Sequence, residues 1–183
     1  MQDLYDPQSP EYNYFSSHML NLAYLSLGSN LGNREEQLRA AMQRLKSLGT
    51  LRLISSIYET DPVELTDQPQ FLNCVVALET SLAPSQLMQE LLRIEQAMGR
   101  KRTAPKGPRG IDIDIVLFGN EVVNSPEVTI PHPAMHGRRF VLAPLAEIAP
   151  DVKHPLLLKT SRELLAGLPE GQSVTRLTGI VDH

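Results

Sequence analysis

Two carboxylates stand two residues apart in IDIDIVLF (residues 111–118), and the segment before them, GRKRTAPKGPRG, carries Arg100, Lys101, Arg102, Lys106 and Arg109 with no acid. In an extended chain alternate side chains share a face. Asp112 and Asp114 therefore point together, followed on that face by Val116 and Phe118, while Ile111, Ile113, Ile115 and Leu117 point the other way. Two residues of strand span about 6.6 Å, and two negative charges at that distance repel by roughly 2.5 kcal/mol at an effective dielectric of about 20. A cation between them removes that cost. A strand end with both acids in water is the bland alternative, and the neighbouring cations weigh against it. Cations and paired acids together suit a polyanion that brings a divalent metal. Mg²⁺ takes one or two protein carboxylates and completes its shell with water and phosphate oxygens. Zinc would ask for His or Cys clusters that the chain lacks. Two ions sharing two aspartates can clamp a triphosphate for in-line displacement, with arginines neutralising the phosphate oxygens. The Gly- and Pro-rich cationic segment reads as a loop able to fold over a nucleotide.

The elements that must position this pair follow from periodicity. Residues 20–28 form an apolar strand, broken at Gly28-Ser29-Asn30. Asn33 is three residues before Glu36, a capping-box spacing, and opens a helix with Leu38, Ala41, Met42, Leu45 and Leu48 on one stripe. GSNLGN matches neither nucleotide-loop pattern and reads as a strand–turn–helix joint. Residues 51–60 form a second strand, 61–70 a loop with Pro and Asp, and 71–81 a third strand that puts Leu72, Cys74, Val76 and Leu78 opposite Phe71, Asn73 and Val75. Pro84 opens a second helix with Leu87, Leu91, Ile94 and Met98 in line, stopped by Gly99. The order β-α-β-β-α-β is that of the ferredoxin-like split βαβ fold of the α+β class, an antiparallel sheet with helices on one face. Asn73 and the aspartates then lie on the open face. The C-terminal extension (119–183) is expected to be rich in loops, with a short helix at 161–168. His132, between two prolines and upstream of Arg138 and Arg139, is a candidate phosphate contact.

Composition narrows the class. The 183 residues suit one domain, here residues 21–183, preceded by a loosely ordered extension over 1–20. The extension supplies Asp3, Asp6 and Glu11 of a formal net charge of −4, which leaves a near-neutral body unlike a general nucleic-acid binder. A sheet-face reader of single-stranded RNA would stack bases on exposed aromatics, yet aromatics make up only 5% of the chain and Trp is absent. No apolar run reaches membrane-spanning length. The single cysteine, Cys74, excludes an internal disulfide and fits a reducing, cytoplasmic setting. The expected molecule is a monomer acting on small molecules, with no nucleic-acid or membrane partner.

The stretches LSLGSNLGN, SSIYETDPV, DQPQFLN, RIEQAMGRKR, GPRGIDIDIVLFGNEVV and IPHPAMHGRRFVLAPLAEIAP together resemble the 6-hydroxymethyl-7,8-dihydropterin pyrophosphokinase family of folate biosynthesis. The resemblance runs from about Asn21 to Pro155. It implies an ATP-dependent diphosphotransferase that moves diphosphate from ATP to the pterin's hydroxymethyl group and releases AMP, with two Mg²⁺ ions. On it, Asp112 and Asp114 match the metal ligands and Arg100 and Arg109 the catalytic arginines. Glu95, Arg100, Arg102, Arg109, Ile115, His132 and Arg138 match the ATP site. Thr60, Pro62, Val63, Phe71, Asn73 and Phe140 match the pterin site, where an asparagine supplies both donor and acceptor. The chain departs from the family in more than one respect. Pro105-Lys106 stands where the family commonly has Arg-Trp before Gly-Pro-Arg, in a loop one residue shorter, the chain has no Trp at all to seal the pterin, and its N-terminal extension has no counterpart in the family.

Overall fold

In a computed structural model of the chain, residues 20–62, 67–99 and 108–177 are described. The expected extension over 1–20, Val63, and the basic segment from Arg100 to Lys106 fall outside them, Leu20 excepted. Strand β1 (Asn21–Ser29) leads through a turn into helix α1 (Arg34–Leu45), and the Asn33 side chain accepts from the Glu36 N–H as the capping spacing predicts. Then come β2 (Thr50–Ile54), β3 (Tyr58–Thr60), β4 (Phe71–Thr80), α2 (Pro84–Ala97) and β5 (Asp112–Phe118). The expected strand over 51–60 is thus two. The break falls at Ser55, whose N–H donates to the Val75 carbonyl while its Oγ accepts from the Val75 N–H.

The sheet is antiparallel, ordered β5-β1-β4-β3, with β8 (Val174–Arg176) beyond β3 and β2 also paired to β4. Its central pairing sets Leu25 against Val76 and Gly28 against Asn73, and on the other side of β1, Ser26 lies against Asp114 and Gly28 against Asp112. One sheet face carries Leu25, Leu27, Cys74, Val76, Ile113 and Ile115 and packs on the stripes of α1 and α2. Here the burial matches the periodicity.

The other face differs from expectation. The segment after β5 is rich in loops, but it also forms the short β6 (Val123–Asn124) and β7 (Thr129–Ile130) and the unforeseen helix α3 (Arg139–Ile148), ahead of the expected short helix, α4 (Ser161–Ala166). Val141, Leu142 and Leu145 of α3 pack with Leu164 of α4 on Tyr24, Val75, Ala77, Val116 and Leu117. Helices therefore lie on both faces, because half of the second face is apolar and has to be covered. A bulge sharpens this division. Tyr24 pairs with Leu117 but Leu25 pairs with Ile115, so Val116 is the extra residue. Beyond it the alternation reverses: Leu117 turns under α3, and Phe118, fully buried, joins the opposite core.

Candidate active site

The same strands that carry Tyr24, Val75 and Val116 under α3 present Ser26, Gly28, Phe71, Asn73, Asp112 and Asp114 farther along the same face. These polar or small positions lie where α3 no longer covers the sheet. A cavity of about 290 Å³ opens there, lined also by Thr60, Asp61, Gln68, Arg109, His132, Arg138 and Phe140. Its size and mixed lining suit a small-molecule ligand.

On the acidic side, Arg109 Nη1 donates to Asp112 Oδ2 at 2.8 Å. Asp114 Oδ2 lies 3.9 Å from His132 Nε2. Burial, then the charges of Asp112 and Glu95, push the Asp114 carboxyl up to about 7, against the opposing pull of Arg138 and Arg109. His132 Nδ1 accepts from the Ala134 N–H at 3.1 Å, so the neutral ring carries its proton on Nε2, toward Asp114. Burial and the Arg138 charge lower the pKa of that imidazole, which keeps it neutral at pH 7. The Arg138 guanidinium stacks over the Phe140 ring, 5.6 Å from its centroid.

In the same cavity, buried Asn73 donates from Nδ2 to Thr60 Oγ1 at 2.6 Å. Its Oδ1 lies over Gly28, where a Cβ would stand 2.8 Å away. The absent side chain leaves the floor flat beneath an amide whose orientation is fixed. Asp61 accepts from Gln70 Nε2 at 2.8 Å and also faces the cavity.

Of the expected site residues, Thr60, Phe71, Asn73, Arg109, Asp112, Asp114, His132, Arg138 and Phe140 converge on this one cavity. Three do not line it. Ile115 is buried in the core against α1 and α2, which leaves only its backbone for a ligand. Glu95, 2% exposed near the end of α2, receives the Ile113 N–H at 2.7 Å. It holds the start of β5 and acts on the site through charge. Pro62 is half-buried and outside the lining. Val63, Arg100 and Arg102 lie outside the described residues. Sequence reasoning missed Ser26, Gly28, Asp61 and Gln68. The first two were within reach, since β1 places Ser26 and Gly28 on one face by alternation alone. Asp61 and Gln68 depend on the path of a loop.

Paired carboxylates, two guanidinium groups and an amide-bearing wall around one cavity on an antiparallel sheet define a class: a small-molecule enzyme built to handle phosphate. A model of the 7,8-dihydro-6-hydroxymethylpterin-pyrophosphokinase family matches residues 24–150. The chain is 48% identical over 137 residues to the 2-amino-4-hydroxy-6-hydroxymethyldihydropteridine pyrophosphokinase of Bacillus subtilis, covering 74% of this chain and 82% of that one. It is 42% identical over 163 residues to the protein of that name in Pseudomonas aeruginosa, covering 88% and 99%. It is 43% identical over 157 residues to the folic acid synthesis protein fol1 of Schizosaccharomyces pombe, but covers only 21% of that longer chain. Among solved structures, Plasmodium falciparum HPPK-DHPS with pterin and p-hydroxybenzoate shares the fold, with a TM-score of 0.64 at 20% identity over 81% of this chain and 42% of that one. The chain thus spans about a fifth of the fission-yeast relative and less than half of the Plasmodium protein. The chain belongs to the 7,8-dihydro-6-hydroxymethylpterin pyrophosphokinase family.

Proposed function

We propose that this chain transfers a diphosphate group from ATP to the hydroxymethyl group of 6-hydroxymethyl-7,8-dihydropterin, releasing AMP. The observation that carries this reading is the meeting, in one cavity, of two carboxylates and two guanidinium groups with a buried amide and two aromatic rings. The alcohol oxygen bonds to the β-phosphorus, the bond from that phosphorus to the oxygen bridging the α-phosphorus breaks, and the alcohol proton is released to solvent. Membership of the family supports both substrates.

Asp112 and Asp114 are the proposed holders of Mg²⁺, two ions by resemblance to the family. The donor set fits. Two carboxylates share a face, and at Asp114 burial and the neighbouring acids outweigh the opposing pull of Arg138 and Arg109. Bound there, magnesium supplies positive charge to the phosphate oxygens. Arg109 and Arg138 add fixed positive charge where negative charge develops during transfer, and neutral His132 offers its Nε2 proton to a phosphate oxygen. Asn73, held by Thr60, presents its amide to the pterin edge, with Phe71 and Phe140 walling the ring. Roles for Val63, Arg100 and Arg102 rest on the resemblance alone. The strand order supports assigning the sheet to the ferredoxin-like class with an added C-terminal layer, and residues 21–183 to one domain. A monomer is the proposed working unit, since a single chain brings these groups together in one cavity. The cytoplasm, which holds ATP, is its proposed setting.

Purified protein given Mg²⁺, ATP and the pterin should form one AMP per pterin consumed. Absence of AMP with all three present would sink this reading.

A further inference from the structure

Asn30, in the turn after β1, is 2% exposed and none of the roles above uses it. Its side chain joins two separate segments. Oδ1 accepts from the Arg109 N–H at 2.8 Å, and Nδ2 donates to Gln68 Oε1 at 3.0 Å and to the Pro69 carbonyl at 3.2 Å. Its backbone N–H also donates to the Arg109 carbonyl at 3.1 Å. A backbone N–H only donates and a proline carbonyl only accepts, so the amide's orientation is dictated. Both Nδ2 hydrogens are committed. A carboxylate in this place keeps the Arg109 bond and loses the other two.

Both segments line the cavity, and in the proposed roles one handles phosphate while the other meets the pterin. Arg109 continues to Asp112 at 2.8 Å, while Gln68 shares the cavity lining with Thr60 and Phe71. Arg34 and Gln70 also brace the 67–70 segment, through Arg34 Nη1 to the Gln70 carbonyl and Gln70 Nε2 to Asp61, but they tie it toward α1 and β3. From these contacts we propose that Asn30 is a positioning residue that fastens the phosphate side of the cavity to the pterin side, so that each substrate strengthens the binding of the other through it. This rests on the assignment of roles given under the proposed function.

Steady-state kinetics on Asn30→Asp, Asn30→Ala, Gln68→Ala and the Asn30→Ala/Gln68→Ala pair test it. Asn30→Asp should raise KM for the pterin about tenfold while kcat and KM for ATP stay within about twofold, since only the pterin-side bonds are lost. Asn30→Ala should also lower kcat about tenfold or more, by freeing Arg109. Adding Gln68→Ala to Asn30→Ala should cost less than Gln68→Ala costs alone, because the bond the two share is already gone. Calorimetry with a non-hydrolysable ATP analogue should show that pterin tightens nucleotide binding in the parent chain and that Asn30→Ala brings this ratio toward one. Should Asn30→Ala fail to fold, Asn30→Asp and the half-exposed Gln68→Ala still decide. Equal effects of Asn30→Asp on both substrates, no effect, or costs that simply multiply in the pair would overturn the inference. A parent chain that makes no AMP would instead overturn the proposed function.

Discussion

Asp114 holds its proton to about pH 7 because it is half-buried beside two other acids, whose charges and the loss of water outweigh the pull of Arg138 and Arg109. The sign of the consequence is fixed. A carboxyl whose folded pKa is raised contributes stability that is present below its unfolded value and is lost as pH rises through about 7. Without divalent cation, the melting temperature should therefore fall between pH 5 and pH 8 by more in the parent chain than in Asp114→Asn. Added Mg²⁺ should raise it more at pH 8 than at pH 6, because proton and cation compete for one carboxylate. A parent chain and Asp114→Asn with the same pH slope would remove the electrostatic premise. In turnover, Asp112→Ala and Asp114→Ala should each lose about a hundredfold or more with the far-ultraviolet circular dichroism unchanged, on the scale of removing charge stabilisation from a transition state. Near-full activity in either variant would show that the metal lies elsewhere.

Within the elements, alternation explains most of what the site needs. Strand β1 passes beneath the cavity as Ser26 and Gly28 after leaving α3 as Leu22 and Tyr24. One strand face thus serves as core over one half and as floor over the other. Gly28→Ala would set a methyl 2.8 Å from Asn73 Oδ1, and Asn73 is tied to Thr60 and gives way poorly. KM for the pterin should rise about tenfold, roughly 1.4 kcal/mol, with KM for ATP little changed. An equal rise for both substrates would place the floor under the wrong ligand. The bulge at Val116 is the matching device in β5. It allows Asp114 to face the cavity while Val116 and Leu117 both feed the core under α3. IDIDIVLF read by strict alternation assigns Leu117 and Phe118 to the wrong faces, because a bulge depends on what the neighbouring strand can pair and leaves no mark in the residues themselves.

Across the whole molecule, one acid helps tie the C-terminal segment to the sheet. Glu147 on α3 accepts from the Ser56 N–H and Oγ and from the Tyr58 hydroxyl on one side, and from Arg176 of β8 on the other. Burial, then Glu147, raise the Tyr58 pKa to about 12. Glu147→Ala should destabilise the chain by about 2 kcal/mol, the scale of losing hydrogen bonds to a charged group. It should also bring the Tyr58 titration down toward the ordinary phenol range, read by ultraviolet absorbance. Unchanged stability would mean that strand pairing and packing hold β8 and α3 without this acid.

The sequence by itself determined the two helices, the strands that frame them, and the shared face of Asp112 and Asp114, because each of these follows from spacing along a few residues. It also revealed the family, since several motifs agreed over most of the chain. Only the tertiary structure decided that α3 closes half of the second face, that Glu95 supports β5 from behind, and that Asn30 joins Arg109 to Gln68. Those contacts link residues far apart in the chain, and local periodicity carries no information about which distant side chain will satisfy a buried donor.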